Sequence, residues 1–212
     1  MISTLLYSFY IRFLFGMPHM IEIIHPTQFK TVPWKNGKGE TVEMAINPGG
    51  TLENFDWRLS MASVVEDGVF SNFTGYTRNL ILIEGDGINL QHNDNKIDRL
   101  KNLLDVATFD GGNKTVGNLH TNEITDFNVI ARTSAFHSKV SCHKNTTNHI
   151  LEKSDLCFVY SLFNDTTLTT KSTQEVTLVP SQHLVKITDL TADNVAITGE
   201  HLIIVYLRRC AI

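Results

Sequence analysis

Cationic, amide and hydroxyl side chains collect in a few short stretches of this sequence, in combinations suited to holding a small anion with an organic body. The densest stretch runs over residues 32–45. Trp34, Lys35 and Asn36 set an apolar plate, a cation and an amide side by side, and Gly37 and Gly39 let the backbone turn sharply or approach a ligand closely. Thr41, Glu43 and Ala45 then alternate, so a strand would carry them on one face. A hairpin with a solvated, lysine-bearing tip accounts for the same residues. A phosphate loop does not, because Gly-x-Gly lacks the GxxxxGK(S/T) spacing and no helical pattern follows.

Further along, Trp57, Leu59 and Met61 alternate with Arg58, Ser60 and Ala62. One face is core; the other brings a guanidinium and a hydroxyl. If that second face lines an interior, Arg58 must meet a carboxylate, since an unpaired buried charge is costly; otherwise the face meets water. Residues 68–78 intersperse glycines with Phe70, Ser71, Phe73 and Tyr76 and end at Arg78. Such a loop either rims a pocket mouth or plugs a barrel end. Asp126, Asn128 and Ile130 share a face opposite Phe127 and Val129, with Arg132 beyond them, as polar lining or as strand-end caps.

Other chemistries find little support. Nine histidines form no HxH pair and no HExxH, and Cys142-His143 with His149 is loosely zinc-like without a second well-spaced pair. No metal and no cofactor is therefore expected. There is no GxSxG and no cysteine-centred nucleophile motif. With 18 basic against 22 acidic residues, the net charge of −4 leaves no basic footprint for nucleic acid. Three cysteines without CxxC spacing read as thiols in a reducing cytoplasm, not as a disulfide framework.

The elements that must position these groups are strands. From Ile21 onward the apolar period is close to two, with turn chemistry at short spacing. Residues 79–83 and 88–91, around Glu84-Gly85-Asp86-Gly87, read as a hairpin with a glycine-bearing turn. His92-Asn93-Asp94-Asn95 reads as a second turn. Strand-like runs recur at 103–109, 126–132, 136–142, 157–163, 176–179, 183–187 and 201–207, and no long amphipathic helix appears. The expectation is an all-β fold of two packed barrel lobes, roughly 20–115 and 116–212, with the polar segment 111–123 as the join. The apolar run at 5–11 ends at Arg12, too short for a bilayer, and lacks the features of a secretory signal. Residues 1–19 read as an extension ahead of the fold, with Met17 and Met20 as alternative starts, and no membrane is expected as a partner.

Four stretches together resemble the HutD/Ves family: Pro33-Trp34-Lys35-Asn36-Gly37 through Thr41, Trp57-Arg58-Leu59-Ser60-Met61-Ala62, Gly68 through Arg78, and Asp126-Phe127-Asn128-Val129. They occur in the family's order, and the resemblance covers roughly 20–208. It implies a compact double-cupin fold, a cytoplasmic bacterial protein and no assigned catalysis, with members linked to histidine utilisation or to stress response. For the histidine branch it implies binding of a breakdown product such as formylglutamate, with a regulatory role. This chain departs from the pattern at Gly37-Lys38-Gly39 and at Val129-Ile130-Ala131-Arg132-Thr133, where one arginine is missing. Metal-binding cupins use HxH, Glu and a later His; here the hairpin supplies only His92.

The resulting expectation is a metal-free site for an organic acid in the first lobe. Arg58 and Arg78 would grip the acid, Asn36 and Ser60 orient it, and Trp34 and Phe73 wall it. Lys35, Thr41, Glu43, Ser71, Asp126 and Asn128 complete the polar lining. Two other readings stand beside it: a metal-independent isomerase or hydrolase with Glu43 as base, and an interaction module without ligand, dimerising through an exposed β edge.

Overall fold

The computed structural model describes residues 20–34, 39–93, 96–190 and 194–211. The extension expected at 1–19, and Lys35 and Asn36 of the expected site, lie outside them. Among the described residues are nineteen strands and one 3-10 turn, Pro26–Gln28. The strands of the first part are β1 (Met20–Ile24), β2 (Lys30–Pro33), β3 (Glu40–Ile46), β4 (Trp57–Val64), β5 (Gly68–Val69), β6 (Tyr76–Glu84), β7 (Ile88–His92), β8 (Lys96–Leu100), β9 (Val106–Asp110), β10 (Thr115–Leu119) and β11 (Ile124–Arg132). Those of the second are β12 (Phe136–His143), β13 (Thr147–Ile150), β14 (Ser154–Ser161), β15 (Thr166–Thr170), β16 (Glu175–Val179), β17 (Leu184–Leu190), β18 (Val195–Gly199) and β19 (Leu202–Arg209).

They form two double-sheet lobes. In the first, the sheet β2-β3-β4-β11-β6-β9 faces β5-β10-β7-β8 across a core that includes Leu80, Leu82, Ile88, Leu90 and Phe109. In the second, β1-β17-β14-β19-β12 faces β13-β18-β15-β16 across Val159, Leu168, Ile187, Ile197 and Ile204. The two larger sheets then pack back to back through a third core, including Leu59, Phe127 and Val129 of one and Phe158, Ile203 and Val205 of the other. Their central strands are therefore covered on both faces, which is why β19 reads as an unbroken apolar run. Its Ile203, Val205 and Leu207 enter the interlobe core while Leu202, Ile204 and Tyr206 enter the second lobe.

Several expectations are corrected. The lobes do not divide at 115/116: β10 and β11 belong to the first lobe's sheets, and β1 pairs with β17 of the second. Residues 111–123 are accordingly not the join; they hold β10, paired with β7. The hairpin expected over 79–91 is not one. β6 pairs with β11 and β9, β7 pairs with β10 and β8, and the turn between them carries the chain from one sheet to the facing sheet. Gly85 and Gly87 make that corner at φ +94° and +123°, and a glycine-bearing turn between apolar runs serves either connection. The next turn does close a hairpin, with His92 opposite Lys96. A bulge at Met44 also breaks the alternation of β3, so that Ala45 packs against the interlobe core instead of sharing a face with Thr41. Cys157 is buried and Cys142 and Cys210 are partly so, all three as free thiols.

Candidate functional site

The six-stranded sheet of the first lobe buries an unusual set of side chains on its interior face. Successive rows across β4, β11 and β6 read Arg58–Ile130–Arg78, Ser60–Asn128–Leu80 and Ala62–Asp126–Leu82. Both faces of these strands are covered, so polar groups here cannot simply turn to water, and each must find a partner within the protein or in a ligand. They line a cavity of about 700 Å³, together with Trp34, Thr41, residues 65–71 and Phe73.

Each charge is held differently. Arg58 donates from Nε to Glu43 Oε2 of β3 at 2.8 Å, the carboxylate that an interior Arg58 requires. Arg78 has no carboxylate in pairing contact among the described residues. Its guanidinium lies 5.3, 5.5 and 5.3 Å from the ring centres of Phe70, Phe73 and Phe109. It donates to Asn128 Oδ1 at 2.8 Å and to the Ser71 carbonyl at 3.3 Å, leaving its buried Nε without a partner. Burial lowers its pKa to about 10, partly offset by Asp126 and reinforced by Arg58, so it stays charged at neutral pH. Asn128 in turn donates to Asp126 Oδ1. Asp126 has no exposed surface, and burial pushes its pKa up to about 7, against the pull of Arg78 and of the Asn128 bond.

Of the residues expected from sequence, the structure brings Trp34, Thr41, Arg58, Ser60, Ser71, Phe73, Arg78, Asp126 and Asn128 to this one cavity. Trp34 Nε1 donates to Thr41 Oγ1 at 2.8 Å, which fixes that wall. Glu43 is not among the lining residues; its Oε2 is held by Arg58 in an ion pair, which places it behind the cavity wall and not in it. Arg132 is a strand-end clamp, bound to Asp56, Asn54 and the Phe55 carbonyl. The sequence reading placed Val69 and Phe70 in a loop that rims a pocket or plugs a barrel end without singling them out, and it missed Phe109, contributed from β9 with no local signal. It also missed the rim residues Val65, Glu66 and Asp67.

The histidines among the described residues do not assemble a ligand set. Among the described residues, no three of His, Cys, Asp and Glu converge on a metal position. His92 Nδ1 is 2.9 Å from Thr115 Oγ1 and Nε2 is 3.2 Å from Asp98 Oδ2. His143 and His149 stack at 4.9 Å, with their Nε2 atoms bonded to Ser141 and Tyr206, whereas Cys142 packs on the interlobe core. The donors therefore do not fit the metal of metal-binding cupins.

The model of the HutD family matches residues 26–204. The chain belongs to the HutD family. An uncharacterised 21.2 kDa protein in the hutC 3′ region of Pseudomonas putida is 32% identical over 127 residues, 60% of this chain and 66% of that protein. Protein Ves of Escherichia fergusonii is 33% identical over 129 residues, with the same shares. The matched stretch thus spans just under two thirds of these relatives. HutD from Pseudomonas fluorescens SBW25 superposes with a TM-score of 0.77 at 25% identity, over 91% of this chain and all of that one. A conserved protein of unknown function from Pseudomonas aeruginosa PAO1 superposes at 0.79 with 23% identity, over 89% and 99%, and shares the fold. The chain is thus a cupin-like, all-β HutD/Ves protein, and among its described residues no helix is long and apolar enough to cross a membrane.

Proposed function

We propose that the first-lobe cavity binds a carboxylate-bearing metabolite without help from a metal, and that formylglutamate or a similar product of histidine breakdown is that ligand. The observation that carries this reading is Arg78. It is a buried cation boxed by three aromatic rings, with an unpaired Nε and no carboxylate partner among the described residues. An acid group reaching it gains a charge-assisted hydrogen bond in a site where water competes weakly. Arg58 sits in the same row two strands away, across Ile130 of β11, and Ser60, Thr41 and Trp34 supply orienting groups and an apolar wall. The relative in the hutC 3′ region and the likeness to HutD support the histidine branch. A regulatory role and a cytoplasmic location are part of the proposal and rest on the family resemblance.

The convergence of Arg58, Ser60, Arg78, Asp126 and Asn128 on one cavity favours the binding reading over an interaction module without ligand. A thermal-shift screen against histidine, urocanate, formylglutamate, glutamate and formate tests the proposal, since a ligand that prefers the native state raises the melting temperature as its concentration exceeds Kd. Formylglutamate should raise it, and Arg78→Ala should abolish the rise. No shift with any of these acids at millimolar concentration would overturn the reading. Incubation followed by NMR separates binding from turnover: the ligand should come back unchanged.

A further inference from the structure

Asp126 is buried in a way that a carboxylate tolerates poorly. It has no exposed surface, its Oδ2 has no hydrogen-bond partner, and its Oδ1 receives one bond, from the neutral amide of Asn128. Its neighbours across the strands are Ala62 and Leu82. The positive charge nearest along the bonded chain is Arg78, reached through Asn128. An acid arriving on Arg78 would place a second negative charge in the same low-dielectric space and cancel the field that favours an ionised Asp126.

We propose that the cavity takes up its anion together with one proton, and that the proton lodges on Asp126. This rests on the organic-acid reading above and adds a second, chemically defined ligand to that site. Among the described residues, the other titratable and charged groups facing the region are Arg58, Glu66, Asp67 and, behind Phe109, His92. Arg58 of β4 is held by Glu43 of β3. Glu66 and Asp67 stand at the rim, both exposed. His92 of β7 stacks on Phe109, whose ring also meets Arg78, and it is engaged by Thr115 and Asp98. Arg78 cannot be the group that changes charge, because it stays protonated until about 10. Asp126, held near 7 before the anion arrives, can.

The linkage has a definite sign. Below about 6 the free protein already carries the proton, so binding needs none and affinity is flat until the ligand itself titrates. Above about 7 each binding event must collect a proton, and affinity falls by up to about tenfold per pH unit.

Isothermal titration of the full chain with formylglutamate, and with glutarate as an acid lacking the amide, reads this directly. It is run at pH 6 and pH 8, each in two cationic buffers of unlike protonation enthalpy. The expected result is uptake of close to one proton per bound anion at pH 8, close to none at pH 6, and about tenfold weaker binding at pH 8 than at pH 6. Asp126→Asn should remove both the uptake and the pH dependence. Equal affinity at both pH values without proton uptake in the wild type overturns the proposal, and so does undiminished uptake in Asp126→Asn. Absence of any binding at pH 6 overturns the organic-acid reading itself, a distinguishable result.

Discussion

Arg58 and Glu43 form a diagonal ion pair across β4 and β3, at 2.8 Å, with side chains only 7% and 12% exposed. Neither partner reaches bulk water easily, so the pair matters chiefly through what its breakage would leave behind. Glu43→Ala strands a guanidinium in the cavity wall and should cost about 3–5 kcal/mol, measured as a lower urea midpoint at unchanged slope. Replacing both partners, as Glu43→Leu with Arg58→Met, should recover most of that loss. A double variant no more stable than Glu43→Ala would show that the pair is not what sets the cost.

Asp126 gives a pH dependence of stability that runs opposite to the usual carboxylate. Its pKa lies near 7 in the folded protein against an ordinary value of 3.8. Between those values the folded state binds more protons than the unfolded one. Stability from this group is therefore complete below pH 4 and is lost as pH rises through 7. Asp126→Asn has no such term. Its stability relative to wild type should improve from pH 4.5 to about pH 7 and level off above that in parallel urea titrations. A constant difference across that range would contradict the buried, protonatable carboxyl.

The barrel strands were legible in the sequence because alternation survives wherever a strand has one wet face, and unbroken apolar runs such as 202–207 mark strands buried on both. Arg58, Ser60, Asp126 and Asn128 stood out for the same reason: they interrupt the interior face of strands that are otherwise apolar. Chain connectivity was less readable. Gly85 and Gly87 permit a turn but do not say whether the next strand pairs with the last or crosses to the facing sheet; that is decided by partners such as Glu123 and Leu100. Nor could local pattern show that β1 joins the second lobe, that Phe109 covers Arg78 from β9, or that Glu43 would pair with Arg58. Those facts depend on which strands meet, through contacts far apart in sequence.

The corner at Gly87 should be intolerant of any side chain. Its φ is +123°, and a Cβ would meet the Leu100 carbonyl and His120 Nδ1 at 2.5 Å each. Gly87→Ala therefore combines backbone strain with a clash against main chain, and should cost at least about 2 kcal/mol by thermal or urea unfolding. Gly68→Ala, where nothing lies within 4 Å of the added carbon, is the matched control and should be near neutral.

Phe127 ties the two lobes together. It is fully buried in the interlobe core, with its ring 5.6 Å from that of Tyr160 on the other lobe's central sheet. Phe127→Ala should cost about 3–5 kcal/mol. Because the lost contacts span both lobes, wild-type unfolding should follow a single transition by tryptophan fluorescence and by circular dichroism, with the variant's midpoint lowered in both. Separate transitions for the two probes in the wild type would mean that the lobes are independent units.

Arg78→Lys isolates what the guanidinium does beyond carrying charge. A lysine keeps the positive end but cannot lie flat against Phe70, Phe73 and Phe109 while donating to Asn128 and to the Ser71 carbonyl. It presents a strongly hydrated point charge where the cavity is shaped for a planar, weakly hydrated fork. Formylglutamate affinity at pH 6 should fall about tenfold or more, equivalent to about 1.4 kcal/mol. Ser60→Ala, which removes one hydroxyl from the same wall, should have a smaller effect. Full affinity in Arg78→Lys would reduce the site to simple charge attraction. A steep salt dependence in that variant, set against a shallow one in the wild type, would then locate the acid at the exposed rim and not beside the aromatic box.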